Sequence, residues 1–160
     1  MRTRNLALYA LFTALVLLAT YVLKIPTFNG YAHLGDAVIM AVAVAYSRRA
    51  GMICGAFGTA LADVFGGYFI WAPFSFIIHG LQGFIVGLIA GRASSRLRKA
   101  VAMIIGSIIM LVLYQIVTLE IYGWAGFVTA LYGNIAQGIV GVVGGMLFAP
   151  VIERTETRNC

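Results

Sequence analysis

Long apolar runs separated by short clusters of charge organise this chain. The first run is Leu6–Leu23, behind Arg2 and Arg4. A signal peptide opens in the same way. This run, however, is about as long as a membrane span, and no small-x-small cleavage site follows it cleanly, so the pattern predicts a retained helix. Lys24-Ile-Pro-Thr-Phe-Asn-Gly30 contains Pro and Gly breakers and reads as a loop. A second helix is expected over 34–47, closed by Arg48-Arg49. At 1.5 Å per residue it spans only about 21 Å, which suits a helix buried among its neighbours. A third helix is expected over 50–66, followed by a short aromatic turn, Gly67-Tyr-Phe-Ile-Trp-Ala72. Pro73 suits the first turn of a fourth helix over 73–91. After a basic loop, a fifth helix is expected over 100–119, then a second aromatic turn, Glu120-Ile-Tyr-Gly-Trp124. The sixth is expected over 126–149, ended by Pro150 and a polar tail. The expected fold is an all-α integral membrane protein: one six-helix domain over 1–160, without repeats or linkers.

Composition narrows the class. Of 160 residues, 62% are hydrophobic and 10% charged, against roughly 45–50% and 25% in soluble domains. That excludes an ordinary soluble enzyme, a disordered chain and a disulfide scaffold. The net charge of +6 would suggest nucleic acid in a soluble protein, but here the basic residues sit between apolar runs. With six spans, Arg2, Arg4, Arg48, Arg49, Arg92, Arg96, Arg98, Lys99, Arg154 and Arg158 share one side, and Lys24 lies opposite. The positive-inside rule then makes both termini cytoplasmic. Tyr31, Tyr68, Trp71, Tyr122 and Trp124 fall on the outer connections, where aromatic residues anchor at the interface by default. Cys54 and Cys160 make no framework, and both are expected to be reduced.

The few polar residues within or at the ends of the spans carry more information than their number suggests. Asp36, Asp63, His79, Gln82, Gln115, Glu120, Asn134 and Gln137 all fall in the outer half or near the midplane. The inner stretches Ala37–Tyr46, Gly83–Gly91, Ala100–Met110 and Gly138–Ala149 hold only Ser107 as a polar side chain. A channel needs polar lining through the whole thickness. This distribution instead gives an outward-facing polar basin above a dry seal. Ser75, His79 and Gln82 share a stripe at i, i+4, i+7, and Asn134 and Gln137 pair at i, i+3. A mid-membrane carboxylate costs about 2.5–3.5 kcal/mol on insertion scales, so Asp36 and Asp63 each call for a partner. The candidate ligand-binding set is His33, Asp36, Asp63, Tyr68, Trp71, Ser75, His79, Gln82, Gln115, Asn134 and Gln137.

Each candidate has a plainer reading beside it. Asp36 can cap its helix, and Asp63 can be an acceptor between helices. His79 can be a satisfied buried histidine. Tyr68, Trp71 and Trp124 can be anchors first, His33 can help close the basin, and Glu120 reads as a solvated loop acid. Small residues recur every four positions at Gly83/Gly87/Gly91, Gly51/Gly55, Gly58/Ala62 and Gly141/Gly145, a pattern that lets helices approach closely. On the first helix, Ala7, Ala10 and Ala14 share a smooth face that suits either core packing or docking to another membrane protein. There is no phosphate-binding Gly-rich loop, no Gly-x-Ser-x-Gly, no His-Glu-x-x-His and no Cys-His cluster. The chain is therefore read as a non-enzyme, without metal, catalytic residue or cofactor of its own. Driven transport would need a partner or an ion gradient.

The blocks Gly30-Tyr-Ala-His-Leu-Gly-Asp-Ala37, Gly55-Ala-Phe-Gly-Thr-Ala-Leu-Ala-Asp63, Gly66-Gly-Tyr68 and Trp71-Ala-Pro73, with Ala10-x-x-x-Ala14 on the first helix, carry a family resemblance. Over nearly its whole length the chain resembles the substrate-binding S components of energy-coupling-factor (ECF) transporters, in the riboflavin-type or hydroxymethylpyrimidine/pyridoxine-type branch. The resemblance implies a multi-pass protein of the bacterial plasma membrane that binds a vitamin or precursor at its outer side. It implies docking through the alanine motif of the first helix onto a membrane coupling subunit. Two cytoplasmic ATPases that hold the ATP would drive the complex, with the S component toppling to release substrate inside. A pocket of His, Gln, Asn, Asp and aromatic side chains suits a small heteroaromatic ring with hydroxyls, so hydroxymethylpyrimidine or pyridoxine fits better than riboflavin. Two other functions remain open: a self-sufficient secondary transporter, for which no inner polar path is evident, and a membrane assembly protein, which would leave the outer polar cluster unexplained.

Overall fold

The computed structural model describes residues 3–27, 30–91 and 95–157. Arg2, Arg92, Arg158 and Cys160, invoked above, lie outside the described residues. The elements are α1 (Thr3–Val22), β1 (Lys24–Thr27), β2 (Gly30–His33), α2 (Gly35–Ala45), α3 (Arg48–Gly66), α4 (Ala72–Ala90) and α5 (Arg96–Thr157). Helices α1, α4 and α5 are long and apolar enough to cross a membrane. Leu6, Leu18, Ile77, Ile108, Val143 and Leu147 are all more than half exposed along them. Apolar surface on that scale suits lipid rather than water.

Helix α2 occupies the centre. Ten of its eleven residues are buried, as its shortness and lack of charge beyond Asp36 led us to expect. It packs on α1, α3, α4 and α5. Glycines let these neighbours close in: a Cβ on Gly83 would stand 2.3 Å from Gly51 O, and one on Gly141 would stand 2.9 Å from Asp36 Cβ. Two apolar clusters fill one end, Met40, Val44, Val86, Met103 and Ala149 in one and Tyr9, Phe12, Val16, Ile39 and Cys54 in the other. Cys54 is a free buried thiol.

The boundaries differ from expectation in instructive ways. Lys24–Thr27 and Gly30–His33 pair as two antiparallel strands where a loop is expected, with Pro26 opposite Tyr31 and Lys24 opposite His33. Pro26 is tolerated because a two-stranded hairpin leaves an open edge on each strand. Arg48 and Arg49 open α3 instead of closing α2, because Ser47 caps α3 by accepting the Ala50 N–H at 3.1 Å. Segments 100–119 and 126–149 both lie in α5, and the break between them is confined to Gly123, at φ 68° and ψ −164°. Few residues other than glycine adopt that conformation. The two arms of α5 run antiparallel, tied by Lys99 to Glu153, Ser107 Oγ to Gly138 O at 3.3 Å and Gln115 Nε2 to Phe127 O at 2.8 Å. Pro150 does not end the helix, which runs on to Thr157. Beyond Pro150, Glu153 pairs with Lys99 and Ile152 packs on both apolar clusters.

Charge and polarity separate along the bundle. Arg48 sits against Gly87 near the end of α4, and Arg98 Nε donates to Ile89 O at 2.6 Å. These basic residues gather at the end that also holds the start of α1 and the close of α2, linked by Tyr46 OH to Asn5 Oδ1 at 2.9 Å. The hairpin, Asp36, Asp63, Trp71 and Ser75 lie at the other end.

Candidate functional site

The hairpin positions the first side chains. Strand alternation puts Tyr31 and His33 of β2 on one face. Tyr31 OH donates to Asp63 Oδ1, and its ring meets Tyr68 at 4.9 Å between centroids. The Lys24 ammonium lies 4.7, 5.3 and 5.7 Å from the ring centroids of Tyr21, Tyr31 and Tyr68, a cation–π arrangement. Asp63 is held in the last turn of α3. Gly67, with φ 81°, adopts the left-handed C-cap that lets Tyr68 N–H reach Asp63 O at 2.8 Å, which satisfies a carbonyl that the helix end would otherwise leave unpaired.

Beneath lies a polar network. Asp36, His79 and Gln82 are each 0% exposed. His79 Nδ1 is 2.9 Å from Gln82 Oε1 and 3.0 Å from Asp36 Oδ1. Gln82 Nε2 and Gln137 Nε2 donate to Asp36 Oδ2 at 3.3 and 3.2 Å. Gln137 Oε1 in turn accepts His33 N–H at 3.1 Å. One carboxylate thus joins α2, α4, α5 and, through Gln137, the hairpin. His33 Nδ1 accepts Gly35 N–H at 3.2 Å, which leaves Nε2 to carry the ring proton. Burial pushes the His33 imidazole down to about 4, so it is neutral at pH 7. Burial and the neighbouring Asp63 carboxylate push the Tyr31 phenol well above its ordinary value.

Between hairpin and network is a cavity of about 60 Å³ lined by Tyr31, Ala32, His33, Asp63, Trp71, Ser75, Tyr114, Thr118, Ala130, Gly133, Asn134 and Gln137. At about 10–15 Å³ per water it has room for roughly four to six waters. Ser75 Oγ and Tyr114 OH are 2.7 Å apart, and Thr118 Oγ1 donates to Tyr114 O at 2.7 Å. Asn134 Nδ2 donates to Gln115 Oε1 at 2.9 Å.

Of the eleven residues expected to bind ligand, His33, Asp63, Trp71, Ser75, Asn134 and Gln137 line this cavity. Asp36, His79 and Gln82 lie under it. Tyr68 backs Tyr31, and Gln115 ties the arms of α5 together. Asp36 lies in the first turn of α2, where an acid is favourable, but it is not the N-cap, which is Leu34, without a side-chain cap bond. Trp71 is 8% exposed and stacks on Tyr122 at 6.1 Å, whereas Trp124 is 68% exposed. Glu120 is exposed, on α5 and not in a loop. Sequence reasoning missed Tyr31, Tyr114 and Thr118 as lining residues. The signals were available: the Tyr31/His33 alternation and the i, i+4 pair Tyr114/Thr118. Among the described residues, His33, Asp36 and His79 form the one group whose ligand atoms, within 4.8 Å of one another, could hold a metal ion. The Gly35 N–H already occupies His33 Nδ1, which makes the group a poor fit.

Fold and site define an apolar helical membrane protein with a polar, aromatic-rimmed cavity at one end. Residues 1–154 match the family described as "ECF-type riboflavin transporter, S component". The chain is 34% identical over 159 residues to the thiamine precursor transporter HmpT of Lactococcus lactis subsp. cremoris (strain MG1363), covering 98% of this chain and 92% of that protein. It is 37% identical over 123 residues to an "Uncharacterized protein in gap 3'region" of Pyrococcus woesei, covering 77% and 82%. The chain belongs to the family of ECF-type S components, which are transporter subunits and not enzymes.

Proposed function

We propose that this chain is the high-affinity substrate-binding subunit of an ATP-driven ECF importer for a single-ring heteroaromatic vitamin or precursor. Hydroxymethylpyrimidine or pyridoxine is favoured over riboflavin. The observation that carries this reading is the cavity under the hairpin, small and lined by Tyr31, Asp63, Trp71, Ser75, Tyr114 and Asn134. A space of about 60 Å³ suits one substituted ring better than a three-ring flavin. The thiamine precursor named for the Lactococcus relative points the same way, although the family description names riboflavin. We read the chain as a single membrane domain over 1–160 with six spans, the arms of α5 supplying two, in a multi-pass plasma-membrane protein. Both termini then face the cytoplasm with the basic end, and the cavity faces out.

Ala7, Ala10 and Ala14 support a docking role. All three are exposed on α1, so they do not serve core packing, and a smooth small-residue face suits close helix contact. The partner is a membrane coupling subunit with two cytoplasmic ATPases, and ATP is bound there and not on this chain. Within the cavity His33, Asp63, Trp71, Ser75, Asn134 and Gln137 contact the ligand, with Tyr68, Gln115, Asp36, His79 and Gln82 supporting them. Mass spectrometry of small molecules released from the purified chain tests this reading. Recovery of a pyrimidine or pyridoxine species supports it. Recovery of riboflavin alone overturns the size argument.

A further inference from the structure

If the cavity receives a heteroaromatic ring, as proposed above, its unused hydrogen-bonding positions dictate which ring. Most polar groups of the lining are already engaged. Gln137 accepts His33 N–H and gives one N–H to Asp36, and Asn134 gives one N–H to Gln115. Ser75 and Tyr114 share one hydrogen bond, which leaves one hydroxyl proton over, and Ser75 also lies beside Asp63; Thr118 donates to a backbone carbonyl, and Tyr31 donates to Asp63 Oδ1. Asp63 Oδ2 has no hydrogen-bond partner, although Asp63 is only 3% exposed and lines the cavity. A buried acceptor left unmatched is costly, the more so when it belongs to a carboxylate. Asn134, with one N–H given to Gln115, offers the same wall a second acceptor, its side-chain oxygen, beside its other N–H.

We infer that Asp63 is the specificity-determining residue of the cavity: its free Oδ2 accepts an N–H from an exocyclic amino group, so the site selects amino-substituted rings over their oxo counterparts. An amino group is donor-only toward such acceptors and carries two N–H bonds, which matches two acceptors on one lining. A ring carbonyl in the same place would face the carboxylate lone pairs. The groups beside Asp63 are Tyr31, Ser75, His79 and the Lys24 ammonium.

The test is calorimetric titration of the whole purified chain with 4-amino-5-hydroxymethyl-2-methylpyrimidine, with its 4-oxo counterpart, with pyridoxine and with riboflavin. The wild type is expected to bind the amino form at least about tenfold more tightly than the oxo form, since sites built to pair with an N–H reject analogues that lack it. Asp63→Asn, which offers an N–H as well as an oxygen, is expected to lose that preference while still eluting as a folded protein. Wild-type affinities for the two pyrimidines within about threefold of each other, or an undiminished preference in Asp63→Asn, would overturn the inference. Binding of pyridoxine or riboflavin but not of the aminopyrimidine would overturn it while leaving the heteroaromatic reading intact. Absence of binding to all four removes that reading and the inference with it.

Discussion

Gln137 on α5 and Asp36 on α2, 101 positions apart, meet at 3.2 Å, with the amide donating to Oδ2 while its oxygen holds the hairpin through His33 N–H. One neutral side chain therefore ties the wall of the cavity to the buried carboxylate below it. Gln137→Leu keeps the volume but strands a backbone donor and weakens the solvation of Asp36. Unsatisfied buried groups cost about 1–3 kcal/mol each. The variant is expected to unfold in detergent at a markedly lower temperature and to bind ligand more weakly. An unchanged melting temperature would mean that the network does not organise the fold.

That network shows how far the sequence could be read. Asp36, His79, Gln82 and Gln137 were all picked out by depth, because few polar groups enter apolar spans without a reason. Depth alone could not separate the group lining the cavity from the group beneath it. That division depends on which rotamers point inward once α2 is enclosed. The hairpin was hidden because Pro26 and Gly30 carry breaker signals and each strand has only four residues, too few for alternation to stand out. By sequence alone Tyr31 therefore reads as an interfacial anchor. The expected five-residue aromatic turn narrows to Gly123, because its positive φ makes the break by itself and Glu120–Tyr122 continue the helix on mostly exposed surface.

His33 makes acid sensitivity a property of the hairpin. Its imidazole titrates near 6.5 in the unfolded chain and about 4 here, so the unfolded state binds more protons between those values. Stability is then full above about pH 6.5 and falls as pH drops toward 4, by about 2 kcal/mol at pH 5. Asp36 and His79 face His33 from α2 and α4, and Tyr31 from its own strand. Comparison with His33→Gln isolates its share. Thermal melts from pH 7.5 to 5 are expected to fall more steeply for wild type than for the variant. Parallel curves would assign the effect elsewhere.

The approach of α3 to α4 depends on the absence of a side chain at Gly83, where a Cβ would stand 2.3 Å from Gly51 O. Gly83→Ala is expected to cost about 1–3 kcal/mol through overpacking. Gly138→Ala, whose added carbon would lie 3.3 Å from Ser107 Cβ, is expected to be milder. Denaturation in a single detergent compares the two, and equal stability would show that the helices can separate freely.

Ala10 and Ala14 are exposed on α1. Replacing both with Trp is expected to leave melting temperature and ligand affinity unchanged while abolishing co-purification with the coupling subunit. Full recovery of the complex would place the docking face elsewhere.

Trp71 lines the cavity, whereas Trp124 lies exposed against Phe127, stacked at 4.9 Å. In Trp124→Phe, Trp71 becomes the single tryptophan of the chain and reports on the cavity alone. Titrating this variant with hydroxymethylpyrimidine, or with pyridoxine, while following its emission shows whether the ring binds beside Trp71. A saturable change in Trp71 fluorescence is expected, with one ligand per chain and the same affinity as calorimetry gives for wild type. Ligand binding by calorimetry with no change at Trp71 would contradict it, because the bound ring would then lie outside the cavity beneath the hairpin.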